Sequence, residues 1–304
     1  MKVSLISTVL NSAEHGGAFL ESIRAQTRPP DEIVIVDGGS TDGTVELLRD
    51  EEGVTLIEEP GANIAQGRNV AISAATHDVI AVSDADCVLA PEWLERLLES
   101  LEDADVAMGA YRPLAANFFQ VCAAAVAVPE PSELRADRFM PSSRSVAFRR
   151  DAYLEAGGYP EWLDKGEDMW IDLRWRERGV RMELAPDAIA YWRVRPSLVA
   201  HWRQYADYAR YDAIGGMWAR RHAIRFAAYG AAVFVLRNRS PLLVSATAAA
   251  GATYAARPIR RAARLLPPGP ERLAAGIAVP AMMAFTDFAK MTGYVRGLLG
   301  RRRE

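Results

Sequence analysis

Two aspartates separated by one residue, Asp84 and Asp86, directly follow the uncharged run VIAVS at positions 79–83. Carboxylate oxygens, together with phosphate and water, are the ligands that Mg²⁺ and Mn²⁺ prefer, and one or two carboxylates on a loop can bridge such an ion to a nucleoside diphosphate. The ion would neutralise charge that builds up on a diphosphate leaving group. We interpret Asp84, Ala85 and Asp86 as a metal and diphosphate motif.

The same spacing recurs at Asp103 and Asp105, so only the neighbouring residues can indicate which of the two pairs is functional. The first copy follows an apolar strand and precedes Pro91, a favourable first-turn residue for the helical pattern that comes next. The second copy follows that helix, where acids in a turn need no function. We predict that the second copy is a solvated turn and that Cys87, beside the first, is a small buried residue.

The bulk composition is that of a globular protein. The chain has 304 residues, 50% of them hydrophobic and 25% charged, which allows one large domain plus an appendage. Its two cysteines supply no disulfide framework or cysteine metal cluster, and they suit a reducing cytoplasm. The first apolar run is too short for a signal peptide and predicts a first strand.

Charge is divided unevenly along the chain. Residues 216–304 hold fifteen Lys or Arg and three acids, a net +12, so the total of −3 leaves −15 for residues 1–215. One interpretation is two solvated surfaces of opposite sign; the other is an acidic catalytic domain joined to a basic tail that meets anionic phosphates.

Strand and helix signals alternate over the first 110 residues, which predicts an α/β fold with a mostly parallel sheet and helices on both faces. In such sheets ligands bind beyond the carboxyl ends of the strands, where VIVD and VIAVSDAD place their acids. The middle of the chain is less regular and ends in a helix over EDMWIDLRWRERG, stopped by Gly179.

The composition shifts toward Ala, Arg and small apolar residues from about position 216. The uncharged runs 226–236, 240–256 and 273–286 each fall short of the roughly 20 residues of a spanning helix. Arginines flank them, which suits the cytoplasmic face of a membrane. We predict a domain at 1–215 and a helical, membrane-associating tail at 216–304. A soluble helical subdomain with an Ala-rich core remains the alternative.

Six motifs occur in the order typical of one family: STVLNSAE, IVIVDGGSTDGT, GANIAQGRN, VIAVSDADC, SVAFRRDAYLEAGGYPEW and GEDMWIDLRWRERG. Over roughly residues 1–215 the chain resembles the family 2 glycosyltransferases. The resemblance implies the Rossmann-like GT-A fold and transfer of a sugar with inversion, from a nucleoside-diphosphate sugar to a hydroxyl group.

The resemblance also implies roles for single residues. Asp168 would be the general base, with Glu167 beside it; Asp84 and Asp86 would hold the metal and diphosphate; Arg68, with Asn69 near it, would face the donor. The nucleotide pocket would be lined by Thr8, Val9, Glu14 and Asp37. The chain departs from the family at Asn11-Ser12, where Asn-Glu is common, and it has no histidine after the base until His201.

Other interpretations stay open for three of these positions. Asp37 could cap the turn DGGST, since Asp side chains satisfy free backbone groups there. Arg68 could be a surface residue of a helix. Glu167 and Asp168 could complement the dipole of the helix that follows them.

The expected partners are a nucleoside-diphosphate sugar with UDP as first choice and GDP next, Mn²⁺ or Mg²⁺, a lipid-linked or polysaccharide acceptor, and the cytoplasmic face of the cell membrane. Nucleic acid is not expected, because no recognisable module accompanies the basic tail. A nucleotidyltransferase would want a Gly-rich basic signature that STVLNSAEHGGAF lacks, and no G-x-G-x-x-G for a dehydrogenase follows the first strand. A non-catalytic membrane adaptor is the remaining alternative.

Overall fold

The computed structural model describes residues 1–300, and the chain divides into two compact units. The first unit comprises residues 1–114 and 130–193, and the second comprises residues 115–129 and those from 194 onward. The units are thus interleaved along the sequence. The boundary at residue 215 stays a prediction of where the catalytic domain ends.

The first unit is built on one eight-stranded mixed sheet. Its strands are β1 Val3–Val9, β2 Glu32–Asp37, β3 Val54–Glu58, β4 Val79–Val82, β5 Cys87–Leu89, β6 Val106–Leu114, β7 Val146–Arg149 and β8 Met182–Arg193. The strand order is β3-β2-β1-β4-β7-β6-β8-β5. Strands β1 to β4 are mutually parallel and β6 runs parallel to β8, whereas β7 and β5 are antiparallel to their neighbours. The predicted α/β fold is confirmed.

The helices of this unit cover the sheet because their apolar residues recur at helical spacing. They are α1 Ala13–Arg24, α2 Thr44–Arg49, α3 Ile64–Ala74, α4 Trp93–Ser100, α6 Arg150–Ala156 and α7 Glu167–Glu177, with α5 belonging to the second unit. One core cluster joins alternate residues of the strands to α3, α6 and α7. Helix α1 packs near β5, and α4 packs near β8.

Parallel pairing brings the strand ends together at one edge. Val9 of β1 lies opposite Asp37 of β2, and Ile6 of β1 lies opposite Val82, the last residue of β4. Asp84 follows two residues later. The expectation that the acids lie beyond the carboxyl ends of the strands is therefore confirmed for Asp37 and Asp84.

Gly109, in the middle of β6, packs closely against Ser145 and Ala188, and this packing could not be predicted from the sequence. A Cβ at this position would lie 1.9 Å from Ser145 Oγ and 3.0 Å from the Ala188 carbonyl oxygen. We expect Gly109→Ala to lower the free energy of unfolding by about 1–3 kcal/mol, the usual cost of overpacking. Urea unfolding measures it. The matched control is Gly17→Ala in α1, where nothing lies within 4 Å of the added Cβ; equal destabilisation of both variants would contradict the packing argument.

The second unit is helical, as predicted for the tail. Its helices are α5 Phe118–Ala127, α8 Leu198–Ile214, α9 Ala219–Asn238, α10 Pro241–Leu265 and α11 Pro270–Gly300. Helix α11 approaches α8 very closely, because a Cβ at Gly293 would lie 1.8 Å from the Ala206 carbonyl oxygen. The segment LLPPGPERL links α10 to α11, as expected for a joint.

Helix α11 meets the length and composition of a membrane span. Its most apolar 18-residue window has a mean hydropathy of 1.3, and 28% of that window is buried within the protein. It is the one such helix among residues 1–300. The uncharged run 273–286 is shorter than a membrane span, whereas the 18-residue window is allowed to contain up to two charged residues. A buried core helix of a soluble protein passes the same test.

Candidate active site

A fully buried arginine stands at the centre of the site. Arg68, on α3, is 1% exposed, and its guanidinium bonds two carboxylates from different elements. Its Nη2 donates to Asp84 Oδ1 at 2.7 Å, and its Nη1 donates to Glu167 Oε1 at the start of α7. The interpretation of Arg68 as a surface residue is wrong. Its planar fork joins the end of β4 to the start of α7, a geometry that lysine cannot reproduce.

The start of α7 presents two neighbouring acids. Gly166 precedes them with φ 81°, a backbone conformation that suits glycine. Glu167 is buried against Arg68, whereas Asp168 is half-exposed and its Oδ1 accepts the Met169 N–H at 2.8 Å. Burial raises the pKa of Glu167 to about 7, Arg68 opposes that rise, and Asp168 adds to it. Glu167 is thus structural, and Asp168 is the acid that solvent or a substrate can reach.

A third acid lies one turn further along α7. Asp172 is buried, its Oδ2 has no hydrogen-bond partner within residues 1–300, and burial raises its pKa well above the usual range. Asp168 also raises that pKa, while Arg176 opposes the rise.

A second arginine connects Asp84 with Asp168, and sequence reasoning missed it. Arg144 Nε lies 3.6 Å from Asp84 Oδ2, and Arg144 Nη1 donates to Ser142 Oγ at 2.7 Å. Ser142 Oγ in turn lies 3.3 Å from Asp168 Oδ2. The guanidinium also packs over the Trp192 ring at 4.9 Å. Nothing in SSRSVAFRR distinguishes Arg144 from Arg149 and Arg150, because only the fold brings it to β4.

The segment that carries Arg144 is held from three sides. Ser83, after β4, donates its hydroxyl to the Arg144 carbonyl at 2.9 Å. Trp93 Nε1 donates to Ser145 Oγ at 2.8 Å, and the Gly109 N–H donates to the Ser145 carbonyl at 2.9 Å. These contacts fix the backbone from which the Arg144 side chain extends toward Asp84.

Asp37 has one oxygen in use and one unpaired. Oδ1 accepts the backbone N–H groups of Gly39 and Ser40, both at 2.8 Å, so the predicted turn cap is real. The side chain is buried at 1% exposure, yet Oδ2 has no partner in the part of the chain that the structure describes. A buried carboxylate oxygen without a donor is costly, so Oδ2 requires a hydrogen-bond donor that the described residues do not supply.

Thr8 and Val9 lie beside Asp37, at the end of β1. Val9 is buried and Thr8 is half-buried, with the Thr8 methyl group 2.9 Å from where a Cβ on Gly67 would be. Gly67 therefore lets α3 approach β1 closely. This close approach places the start of α3 beside the carboxyl ends of β1 and β2.

Two predicted residues stand apart from the arginine-centred group. The Glu14 side chain is 89% exposed in the first turn of α1, and its ionic neighbour is His15 at 4.0 Å. The Asn69 side chain is hydrogen-bonded to the segment after α6. Its Nδ2 donates to the Tyr159 carbonyl and to Glu161 Oε1, both at 2.9 Å. Asn69 thus holds that segment in place.

The chain offers no late histidine to this group. His201 lies in α8 of the second unit, where its Nε2 is 2.8 Å from Thr286 Oγ1, and burial lowers its pKa to about 4. Among residues 1–300, no group of three or more His, Cys, Asp or Glu side chains is placed to hold a metal ion. A cation here would depend on few protein ligands, as Mg²⁺ and Mn²⁺ do when a diphosphate completes the coordination.

The half-buried Asp86 is the carboxylate best suited to that task. Asp84 is already bonded to Arg68, whereas Asp86 follows Ala85 in the loop between β4 and β5. Cys87, next to it, is buried and its pKa is raised by burial, as expected for a packing residue. A donor set of two neighbouring carboxylates, one of them paired with an arginine, fits a hard divalent cation bound mostly through phosphate and water.

Known proteins resemble this chain in sequence. Residues 4–119 match the sequence profile of "Glycosyl transferase family 2". The succinoglycan biosynthesis protein ExoA of Rhizobium meliloti is 28% identical over 225 residues, covering 68% of this chain and 67% of that protein. The O-antigen chain rhamnosyltransferase RfbN of Salmonella typhimurium is 26% identical over 205 residues, covering 62% of this chain and 65% of that protein.

Solved structures share the fold. The mannosyltransferase PcManGT from Pyrobaculum calidifontis, in complex with GDP-Man and Mn²⁺, superposes with a TM-score of 0.55 at 23% identity, over 99% of this chain and 87% of that one. TarS of S. aureus, in complex with UDP, superposes with a TM-score of 0.52 at 16% identity, over 100% of this chain and 92% of that one. The profile match over residues 4–119 and the named relatives support one conclusion, that the chain is a glycosyltransferase similar to those of family 2, and the solved structures show that it shares their fold.

Proposed function

We propose that the protein is an inverting, metal-dependent glycosyltransferase that moves a sugar from a nucleoside-diphosphate sugar to a hydroxyl of a lipid-linked or polysaccharide acceptor. The observation that supports it most is the pair of buried bonds from Arg68 to Asp84 and Glu167. These bonds link the loop that carries the proposed diphosphate motif to the start of the helix that carries the proposed base.

Asp168 acts as the general base in this proposal. Its Oδ1 is fixed by the Met169 N–H and its Oδ2 faces Ser142, so the carboxylate is oriented while remaining half-exposed. It accepts the proton of the acceptor hydroxyl as that oxygen attacks the anomeric carbon. Attack from the face opposite the leaving diphosphate inverts the configuration, and no covalent intermediate on the protein is needed.

The donor is held along the strand ends. Thr8, Val9 and Asp37 line the nucleotide end of the cleft, and Asp84 and Asp86 hold the diphosphate end. A Mn²⁺ or Mg²⁺ ion on Asp86 would supply charge neutralisation for the departing diphosphate. Arg144 adds a positive charge beside Asp84. The Mn²⁺ and GDP-Man in the mannosyltransferase neighbour, and the UDP in TarS, support both bases as candidates.

The test of this proposal is a thermal-shift panel on the full chain with UDP, GDP and their sugars, with and without Mn²⁺ or Mg²⁺. We expect one nucleotide family to raise the melting temperature, and the rise to require the divalent ion. Ligand at 100 times its Kd should stabilise by about 2.7 kcal/mol. A response that is independent of the ion for every nucleotide would overturn the assignment of Asp84 and Asp86.

Asp37→Asn should separate the two functions of that side chain. The Asn oxygen can still accept the Gly39 and Ser40 N–H groups, but the unpaired acceptor becomes an NH₂ donor. We expect nucleotide affinity to fall about 10- to 100-fold, the equivalent of one hydrogen bond to a charged group, with little change in melting temperature. Isothermal titration measures it, and unchanged affinity would remove Asp37 from the pocket.

Arg144→Gln tests the residue that the sequence did not reveal. The substitution removes the charge beside Asp84 and the hydrogen bond to Ser142, both next to the base. We expect kcat to fall about 10- to 100-fold, as for loss of one charge-assisted contact. Arg149→Gln, at a half-exposed position of the same motif, is the control. Equal losses in both variants would refute a role for Arg144 in the site.

The second unit supports association of the enzyme with the cytoplasmic face of a membrane. Helix α11 has the length and composition of a span, and residues 216–304 carry a net +12. Positive charge near an anionic bilayer surface is favourable. A membrane location would bring the enzyme to a lipid-linked acceptor.

A further inference from the structure

A long exposed apolar stretch lies in the second unit, and the proposed transfer chemistry does not use it. It comprises residues 226–256, the end of α9 and the start of α10, and we call it the exposed apolar segment. Its charged residues are Arg237 and Arg239, at the junction of the two helices. Phe234 is 64% exposed and Leu242 is 78% exposed. Such a stretch calls for an apolar environment that the described part of the chain does not supply.

The first part of α10 carries no charged side chain on any face, and its arginines begin at Arg257. Residues 241–250 are exposed at every position, and this run of nearly three turns is uncharged. A protein partner would need one apolar stripe with polar residues opposite it, whereas a helix that is apolar on all sides belongs in a core or in lipid. This pattern favours a bilayer over a second copy of the chain.

Two polar side chains of the segment bond to their own helix. Thr253 Oγ1 donates to the Ala249 carbonyl at 2.9 Å, and Asn238 Nδ2 donates to the Phe234 carbonyl at 2.8 Å. Hydroxyl and amide groups that bond to their own helix lower the cost of leaving water. These bonds make the segment compatible with the apolar side of a membrane interface.

Charge complementarity identifies the kind of bilayer. No acidic residue occurs from 213 to 270, whereas nine arginines do. Arg237 and Arg239 lie at one end of the α10 run, and Arg257 and Arg260, both exposed, lie at its other end. Guanidinium groups at both ends would reach the headgroup layer, where anionic lipids attract them.

The length of residues 226–236 limits how deeply this part of α9 can enter a bilayer. Residues 226–236 extend about 16 Å as a helix, roughly half of the ~30 Å hydrocarbon thickness. The arginines at the junction also disfavour a position in the middle of the bilayer. We propose that residues 226–256 form a shallow membrane anchor that lies in the interface of an anionic bilayer, with its arginines in the headgroup layer. The inference rests on the proposed membrane-associated function and names the segment responsible.

The test is flotation of the full chain with vesicles that contain either 30% phosphatidylglycerol or phosphatidylcholine alone. We expect the wild type to float with the anionic vesicles and the double variant Phe234→Glu with Leu242→Glu to lose at least 10-fold in bound fraction. The matched control is Leu154→Glu in α6, which is 62% exposed in the first unit and should bind like the wild type. Arg257→Gln with Arg260→Gln should weaken binding to anionic vesicles only.

Depth can be measured on the same protein. Both native cysteines, Cys87 and Cys122, are buried, so a spin label on Leu242→Cys should be selective. We expect this label to be about 5–10 Å below the headgroups in bound protein, and a label on Leu154→Cys to remain in water. A label at the bilayer centre would overturn the shallow geometry. Wild-type flotation of the double Glu variant would overturn the anchor.

The same variants show which proposal fails. If the nucleotide and Mn²⁺ response persists while flotation is absent, the anchor is wrong and the transferase proposal stands. If flotation behaves as expected while every nucleotide response is absent, the proposed donor chemistry fails by itself. A concentration-dependent dimer that Leu242→Glu abolishes, without vesicle binding, would replace the bilayer with a second copy of the chain.

Discussion

Asp168→Asn should reduce sugar transfer by about 10²–10⁴-fold while leaving donor binding intact, because general-base help is usually of that size. The amide keeps an oxygen for the Met169 N–H, which Asp168 Oδ1 accepts at 2.8 Å, so the start of α7 should hold its geometry. Only the ability to take up a proton disappears. Steady-state transfer assays give kcat, and titration with the nucleoside diphosphate gives the affinity.

A helix N-terminal charge could also affect stability, so the comparison needs a matched control. Asp151 lies in the first turn of α6, exposed to solvent, and Asp151→Asn removes the same charge from a similar position. We expect that variant to retain full activity. If Asp168→Asn turns over as fast as Asp151→Asn, Asp168 is not the base.

Arg68→Met should be the most destabilising substitution in the site. Removing one partner of a buried ion pair usually costs about 3–5 kcal/mol, because the other charge stays buried without compensation. Here two carboxylates, on Asp84 and Glu167, lose their shared cation. For a protein of this size the melting temperature should fall by about 6–20 °C. Transfer activity should be lost as well, since the end of β4 and the start of α7 are no longer tied together.

The stability loss in Arg68→Met should depend on pH in a defined direction. Arg68 lowers the pKa of Glu167, so its removal raises that pKa further above the unfolded value. An acid with a raised folded-state pKa is destabilising once it must ionise, and this penalty is relieved as the pH falls below the folded pKa. The difference between variant and wild type should therefore be larger at pH 8 than at pH 5.

Two further variants make this prediction decisive. Arg24→Met removes an ion pair with Glu51 in which the arginine side chain is 56% exposed, and it should cost less than about 1 kcal/mol. Arg68→Lys keeps the charge but cannot bond both carboxylates at once, so it should lie between the wild type and Arg68→Met. A melting temperature for Arg68→Met within 2 °C of Arg24→Met would contradict the buried-bridge interpretation.

Local pattern was enough to predict the elements that carry the site. Alternating β-branched residues predicted β1, β2 and β4, and helical spacing with Gly179 at the end predicted α7. The strand signals are strong because strands buried on both faces read as short apolar runs bounded by turn residues. The order of six motifs then pointed to the family that residues 4–119 match.

Which charged side chains form ion pairs with one another could not be predicted from local sequence pattern. Arg68 is separated from Glu167 by 99 positions, and nothing local shows that it is buried. Arg144 lies in a motif with two other arginines, and only the antiparallel pairing of β7 with β4 brings it to Asp84. The roles of Thr8, Glu14, Asp37, Asp84, Asp86 and Asp168 in binding and catalysis stay predictions until the variants are measured.

The strands and helices, the acids at the strand ends and the division of charge could be predicted from the sequence, because each depends on residues that are adjacent in the chain. Only the tertiary structure decided which carboxylates meet: it buried Arg68 between Asp84 and Glu167, left Asp168 half-exposed and left one oxygen of Asp37 without a donor. The physical reason is desolvation. Burial sets whether a charge needs a partner, and burial depends on strands and helices that are distant in the chain.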